Sequence, residues 1–332
     1  VSLAAARLSA RLEESSTEAW RAFSEELLAI WSEPFLNGNI ASEVKKRDQM
    51  SGELDLLIAS TAWELWKDFQ AMVPSTASRL REWWSTSSGP KAILILDAMS
   101  LRELPMLVRE APKHGISVRS VSVTRSELPA DTNSFARALN LPQRSSLENN
   151  GKPSTFALLD AHTETTNLPW VDCANRLGVH PNWVFWHHWP DTKLHEYSSP
   201  NYGIDALVGD VSAQMSSPEF WAFIKKLALG RQVIVTSDHG YAASGLFSDS
   251  TQEQSNYLKE TLKSQRFADA TDHSSGSFCP PVDMVMSTPS GLIRFALGRR
   301  KWRSPGGYPT LMHGGLSLLE VLVPFVEIGG VQ

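Results

Sequence analysis

Short, almost uninterrupted apolar runs constrain this chain more than anything else in it. KAILIL (Lys91–Leu96), WVFWH (Trp183–His187) and QVIVT (Gln232–Thr236) are five or six residues long and bounded by polar segments. They are too short for buried helices, and a strand covered on only one face would alternate apolar with polar. They therefore predict strands buried on both faces. Residues 116–123, 282–286, 292–295 and 321–328 read as further strands, and 101–113, 220–229 and 316–319 as helices. Strands alternating with helices predict an α/β fold, a mostly parallel sheet sandwiched by helices. The stretch 242–281 is rich in Ser, Asp and Thr and reads as an irregular insertion.

The first 85 residues have a different character. Phe23, Leu27, Ile30 and Trp31 make one helical stripe, and Leu54, Leu57, Ile58, Leu65 and Trp66 a second that ends near Pro74. Ser85-Thr86-Ser87-Ser88-Gly89-Pro90 has linker composition. The expected organisation is a helical N-terminal segment, 1–85, followed by an α/β domain, 90–330, with Trp83 and Trp84 placed to dock one onto the other. A chain of 332 residues accommodates both. It does not begin with Met and reads as a fragment of something longer, and Val1–Leu12 has a helical pattern without the apolar core of a signal peptide. No apolar run reaches the roughly 20 residues needed to cross a bilayer. Cys173 and Cys279 are too few for a disulfide framework and read as reduced thiols, which points to the cytoplasm.

In an open α/β sheet, ligands collect at the carboxyl ends of the strands. Asp97 follows the first strand, Thr132 lies in the polar loop after the second, and Asp191 and His195 follow WVFWH. Asp238 and His239 follow QVIVT, and His313 precedes the last strand. Three Asp and three His suit two divalent ions. Such a pair of ions, about 4 Å apart, clamps an in-line phosphoryl displacement. A threonine hydroxyl becomes a competent nucleophile only when its pKa is lowered, as beside a metal.

The segments LILDAMSLRE, SELPADTNSF, WHHWPDTKLHEY, VIVTSDHGY and MHGGLSLLEVLVPFVEI occur in an order that resembles the alkaline phosphatase superfamily. Within it they are most similar to the PglZ domain of bacterial phage-defence and signalling proteins. The resemblance spans about residues 90–330. It implies that Asp97, Asp238 and His239 bind one ion together with the oxygen of Thr132, and that Asp191, His195 and His313 bind the other. It further implies zinc or manganese as the metal, a phosphothreonine intermediate on Thr132, a phosphodiester substrate such as a nucleotide or nucleic acid, and partners within a defence system. Where the family carries arginine three residues after the first metal Asp, this chain has Ser100, with Arg102 nearest, and the family's Pro-Thr reads Pro129-Ala130.

Each residue also has a plainer reading. Asp97 can cap a helix, Thr132 can serve a turn, and His187 and His188 can simply pack. His114, His162, His180 and His273 have no supporting context. A net charge of −5 excludes a protein held to nucleic acid by bulk positive charge. The run Arg299–Arg303 reads first as a solvated edge or turn, and second as a phosphate-backbone contact with Trp302 as a stacking face. Two classes of function remain: a metal-dependent phosphodiesterase, or a catalytically weak scaffold whose N-terminal helices bind partners. For the enzyme, the histidines must be neutral to hold metal, so activity is expected to fall as pH drops through about 6.5.

Overall fold

In this computed structural model, the described residues are 8, 12, 15–33, 35, 39–199, 201–243, 250–303 and 310–329. Among the described residues, the α-helices of the first part with defined bounds are α1 (Ser16–Ser32), α2 (Ile40–Thr61), α3 (Trp66–Met72) and α4 (Thr76–Thr86). Ser15, Asn39 and Ser75 cap α1, α2 and α4, each side chain accepting a backbone N–H three residues on. The α/β part follows as β1 (Lys91–Leu96), α5 (Leu104–Glu110), β2 (Val118–Arg125), α6 (Thr132–Ala138), β3 (His162–Thr166), α7 (Trp170–Arg176) and β4 (Asn182–His187). Next come α8 (Asp191–Tyr197), α9 (Gly203–Met215), α10 (Pro218–Ala228), β5 (Gln232–Thr236), β6 (Ala242–Ala243), α11 (Gln252–Leu262) and β7 (Phe267–Asp269). The last elements are β8 (Asp283–Thr288), β9 (Gly291–Ala296), β10 (Leu311–Met312), α12 (Leu318–Val321) and β11 (Leu322–Ile328).

Six strands form the central sheet in the order β2-β11-β5-β1-β4-β3. The pairs β3–β4, β4–β1 and β1–β5 are parallel, while β11 runs antiparallel to both β5 and β2. The sheet is thus mostly parallel, and the three apolar runs sit side by side at its centre, buried beyond their first residues. Side chains alternate across a strand. Ala92, Leu94 and Leu96 therefore enter one core with Trp20, Phe23, Leu27, Trp31, Trp66 and Phe69 of α1 and α3. Ile93 and Ile95 enter the other, with Ala77, Leu80 and Trp84 of α4 and Phe135 of α6. Helices of the first 86 residues consequently cover both faces of the sheet. Among the described residues no helix is long and apolar enough to cross a membrane.

The stretch expected to be irregular holds α11 and β7. Its helix opens on a capping box, Thr251 with Gln254, but buries only Leu258 and Leu262, too few apolar positions to show a period. With β8 and β9 it builds a separate three-stranded antiparallel sheet, β7-β9-β8, over a small core of Leu258, Leu262, Val282, Ala296 and Trp302. The basic run is only partly solvated: Lys301 is half-buried and Arg303 exposed, while the rest packs inward. Arg299, Arg300 and Trp302 are buried, and the Trp302 indole donates to the Lys263 carbonyl. β3, HTETT, is a sheet-edge strand whose polar composition hides it from an apolar pattern.

Candidate metal centre

Four parallel-running strands and one antiparallel strand deliver the chemistry-bearing residues to one sheet edge. Asp97 ends β1, Thr132 opens α6 after β2, Asp191 opens α8 after β4, and Asp238-His239 follow β5. Because β11 runs the opposite way, the segment before it lies at this same edge, which brings in His313. The turns are tightly determined. Ala98 adopts a left-handed φ of 61° directly after Asp97, and its N–H donates to Asp238 Oδ1 at 3.1 Å. An L-residue in that region is strained, so the bond to Asp238 is what holds the turn. Ser237 ties the ends of β1 and β5 by donating to the Leu96 carbonyl at 2.8 Å. Gly240 has no room for a side chain, since a Cβ there would overlap the Leu319 carbonyl oxygen.

The ligand-type side chains form two groups that share one histidine. Asp97, Asp238 and His239 offer atoms within 4.8 Å of one another, and so do Asp191, His239 and His313. His239 Nε2 lies 3.6 Å from both Asp97 Oδ1 and Asp238 Oδ2, and the His239 and His313 rings stack at 4.2 Å. Asp97, Asp238 and His239 are fully buried. The outer ring nitrogens contact backbone carbonyls, His239 Nδ1 that of Gly240 at 3.0 Å and His313 Nδ1 that of Ala130 at 3.2 Å. A protonated Nδ1 suits both contacts and leaves each Nε2 lone pair facing the carboxylates, the arrangement that fixes a ligand tautomer.

His195 stands apart from both groups. Its side chain is 63% exposed and reaches Asp191 Oδ2 at 3.4 Å. That contact with Asp191 raises the His195 pKa despite partial burial. Burial pushes His313 down to about 4, with the neighbouring His239 charge adding to it. Burial alone would raise the Asp191 carboxyl, but His195, His313 and His239 together hold it well below the usual carboxylate range. At neutral pH the pocket therefore presents an ionised Asp191 and a neutral His313, the protonation states a metal requires. Protons compete first for His195.

Thr132 is the first residue of α6, and its hydroxyl donates to Asp97 Oδ1 at 3.3 Å. The helix cap beside it is Asp131, which accepts from the Ser134 N–H at 2.7 Å. Arg144, in the 3-10 turn 144–150, pairs with Asp97 Oδ2. A cavity of about 340 Å³ opens here, lined among others by Thr132, Asn133, Arg144, Thr165 and His188. Arg144 carries no sequence signal, since it lies in an aperiodic polar stretch. Arg102, the arginine nearest Asp97 in the sequence, is instead fully buried and committed to Asp48 and to the Tyr241 carbonyl.

Three atoms of these groups, Asp191 Oδ1, Asp238 Oδ2 and His239 Nε2, are buried with no hydrogen-bond partner. Orphaned carboxylate and imidazole atoms are costly in an interior. Their convergence fits divalent cations, which satisfy N and O donors together.

The histidines after β4 play a different part. His187 is buried, its Nε2 is 2.9 Å from the Leu168 carbonyl, and its Nδ1 accepts from the Trp189 N–H at 3.0 Å. Burial pushes His187 down to about 4, and burial followed by the Arg144 charge does the same to His188. Both are neutral when folded but take a proton near 6.5 when unfolded, so they stabilise the fold above that pH and the stability is lost as pH falls toward 4. Urea melts are expected to show a falling midpoint between pH 6.5 and 4. His187→Gln keeps both hydrogen bonds without a titrating group, and should remove about 3 kcal/mol of that decline. An equally steep decline in the variant would refute the assignment. His162 and His180 stack on each other at 3.9 Å and His114 on Trp221 at 5.0 Å, away from this edge.

No protein-family model matches the chain, and no curated protein matches it. Among solved structures it is similar to murine ectonucleotide pyrophosphatase/phosphodiesterase 5, at 14% identity and a TM-score of 0.44 over 73% of this chain and 88% of that one. An inactive variant of the same murine protein in complex with AMP matches at 13% identity, the same TM-score and the same coverage.

Proposed function

We propose that this chain is a metal-dependent hydrolase of phosphate esters, a phosphodiesterase with Thr132 as nucleophile. One observation carries the reading: buried, partnerless ligand atoms of two overlapping carboxylate–imidazole groups lie beside a hydroxyl already directed at one of those carboxylates. Asp97, Asp238 and His239 would hold one ion, and Asp191 and His313 the other, with His239 within reach of both sets. His195, outside that set but 3.4 Å from Asp191 Oδ2, would have to turn inward to join it as a ligand. Divalent ions held there would supply Lewis acidity for activating a hydroxyl and offsetting phosphoryl charge.

The chain's own residues divide the remaining work. Thr132 supplies the attacking oxygen, and its proton leaves toward Asp97. The new Oγ1–P bond forms as the bond to the leaving oxygen breaks, and water later cleaves the phosphothreonine. Arg144 offers a guanidinium that grips non-bridging oxygens in a fixed planar geometry. The adjoining cavity, with Asn133, Thr165 and His188, receives the ester arm. A diester has an arm to place there whichever way it binds, which favours diesters over monoesters. The sequence motifs alone support the finer reading: zinc or manganese as the metal, a nucleotide or nucleic-acid substrate, and a cytoplasmic role beside defence partners of the PglZ kind.

With zinc or manganese supplied, the chain is expected to hydrolyse a chromogenic phosphodiester faster than the matching monoester. A chelator should abolish turnover and added metal restore it. Two equivalents of bound metal with no turnover of either ester would sink the enzyme reading in favour of the scaffold.

A further inference from the structure

Helix α2 buries a face that is only partly apolar. Arg47, Asp48, Ser51 and Asp55 are buried beside Val44, Leu54, Ile58 and Ala59. Charged residues are almost never fully buried unless paired. The partners here are two arginines from the α/β part. Arg102 donates to Asp48 Oδ1 through Nε at 2.9 Å and Nη2 at 2.5 Å. Arg299 bridges Asp48 Oδ2 at 2.9 Å and Asp55 Oδ2 at 2.6 Å. All four residues are at most 3% exposed.

The network then reaches the loops that carry the candidate ligands. Arg102 lies five residues after Asp97, and its Nη1 donates to the Tyr241 carbonyl at 2.7 Å, two residues after His239. Asp55 Oδ1 accepts the Leu318 N–H at 2.6 Å, five residues after His313. Between them, Gly240 and Tyr241 donate to the Glu320 and Leu319 carbonyls at 2.9 Å each, and Glu320 Oε1 accepts the Gly315 N–H at 2.9 Å. Two carboxylates of one helix thus brace the Asp97, His239 and His313 loops from behind.

We infer that Asp48 and Asp55 are positioning residues of the metal centre, so that the N-terminal helices are part of its frame; this rests on the metal-dependent reading above. A buried ion pair contributes little net stability compared with apolar packing of the same volume, and its best-attested use is to fix one geometry. A metal site needs that geometry, because its ligands must be held within about 0.5 Å of their places. Apolar packing would keep α2 on the sheet. It would not hold the backbone of three loops at set hydrogen-bond distances.

The test is zinc affinity by calorimetric titration, on full-length proteins, at a temperature where circular dichroism shows each folded. Asp48→Asn is nearly isosteric, and Asp55→Asn keeps the acceptor for Leu318. Leu80→Ala serves as the control, a truncation in the opposite core that costs stability without touching the network. Asp48→Asn and Asp55→Asn should each weaken zinc binding about 10–100-fold, as losses behind first ligands do, while Leu80→Ala leaves it unchanged. If Asp48→Asn does not fold, Asp55→Asn decides alone. Native-like zinc affinity in the folded Asp variants, or an equal loss in Leu80→Ala, overturns the positioning role while the metal centre stands. A native chain that binds no zinc or manganese overturns both.

Discussion

Thr132→Ala should lower turnover of a phosphodiester at least about 1000-fold while two metal ions still bind, because the attacking oxygen is lost and nothing else in the ligand set changes. The structure makes this substitution clean. Thr132 is not the cap of α6; that role belongs to Asp131, whose bond to the Ser134 N–H remains. Thr132 is only partly buried, so removing its hydroxyl leaves no sealed cavity. Melting temperature and metal stoichiometry are therefore expected to match the native chain. Thr132→Ser keeps an oxygen at the same place and should retain turnover within about 10-fold, losing only the methyl that narrows its rotamers. Burst kinetics with the native chain, and none with Thr132→Ala, would report the covalent intermediate directly. If Thr132→Ala turns over the diester as the native chain does, the nucleophile lies elsewhere, with a metal-activated water the first substitute.

What could be read from the sequence followed the physics of burial. KAILIL, WVFWH and QVIVT announce themselves because the centre of a parallel sheet excludes water from both faces, and all three are central strands. Once they are placed, strand polarity alone puts Asp97, Asp191 and Asp238 at one edge. β3 was invisible because an edge strand need not be apolar. Helix α11 was invisible because it covers a core of its own with only two buried leucines. The basic run misled for a different reason. Clustered arginines look solvated unless their carboxylates are known, and those of Arg299 lie in α2, 251 and 244 residues away. Arg144 was missed likewise, since only the fold brings a lone arginine to Asp97. The sharing of His239 between two ligand groups is also a fact of three dimensions. The chain order separates the ligands into an Asp97/Asp238/His239 set and an Asp191/His195/His313 set, whereas the stacked His239 and His313 rings put the first imidazole in reach of both.

That sharing has a measurable consequence. The His239 Nδ1 faces the Gly240 carbonyl, so its single Nε2 lone pair can serve either set but only one ion at a time. His239→Ala should therefore weaken binding at the Asp97–Asp238 position by more than about 100-fold, spare the Asp191–His313 position, and leave no phosphodiesterase activity. His195→Ala is the matched comparison, since His195 lies at the exposed rim, reaching Asp191 and packing edge-on against His313 at 5.5 Å. It should leave the Asp97 and Asp238 position loaded and reduce only the second. The fold is expected to survive the loss of His239. Its Nε2 has no hydrogen-bond partner, and what is given up is the Nδ1 contact with the Gly240 carbonyl, the stack on His313 and the 3.6 Å approaches to Asp97 and Asp238. Relieving a buried orphaned nitrogen offsets part of the cavity left behind. Metal content after dialysis, measured beside turnover, checks this: about one equivalent in His239→Ala, lost when His313→Ala is added, is the expected result. Close to zero equivalents in His239→Ala alone would mean that the two positions load only together.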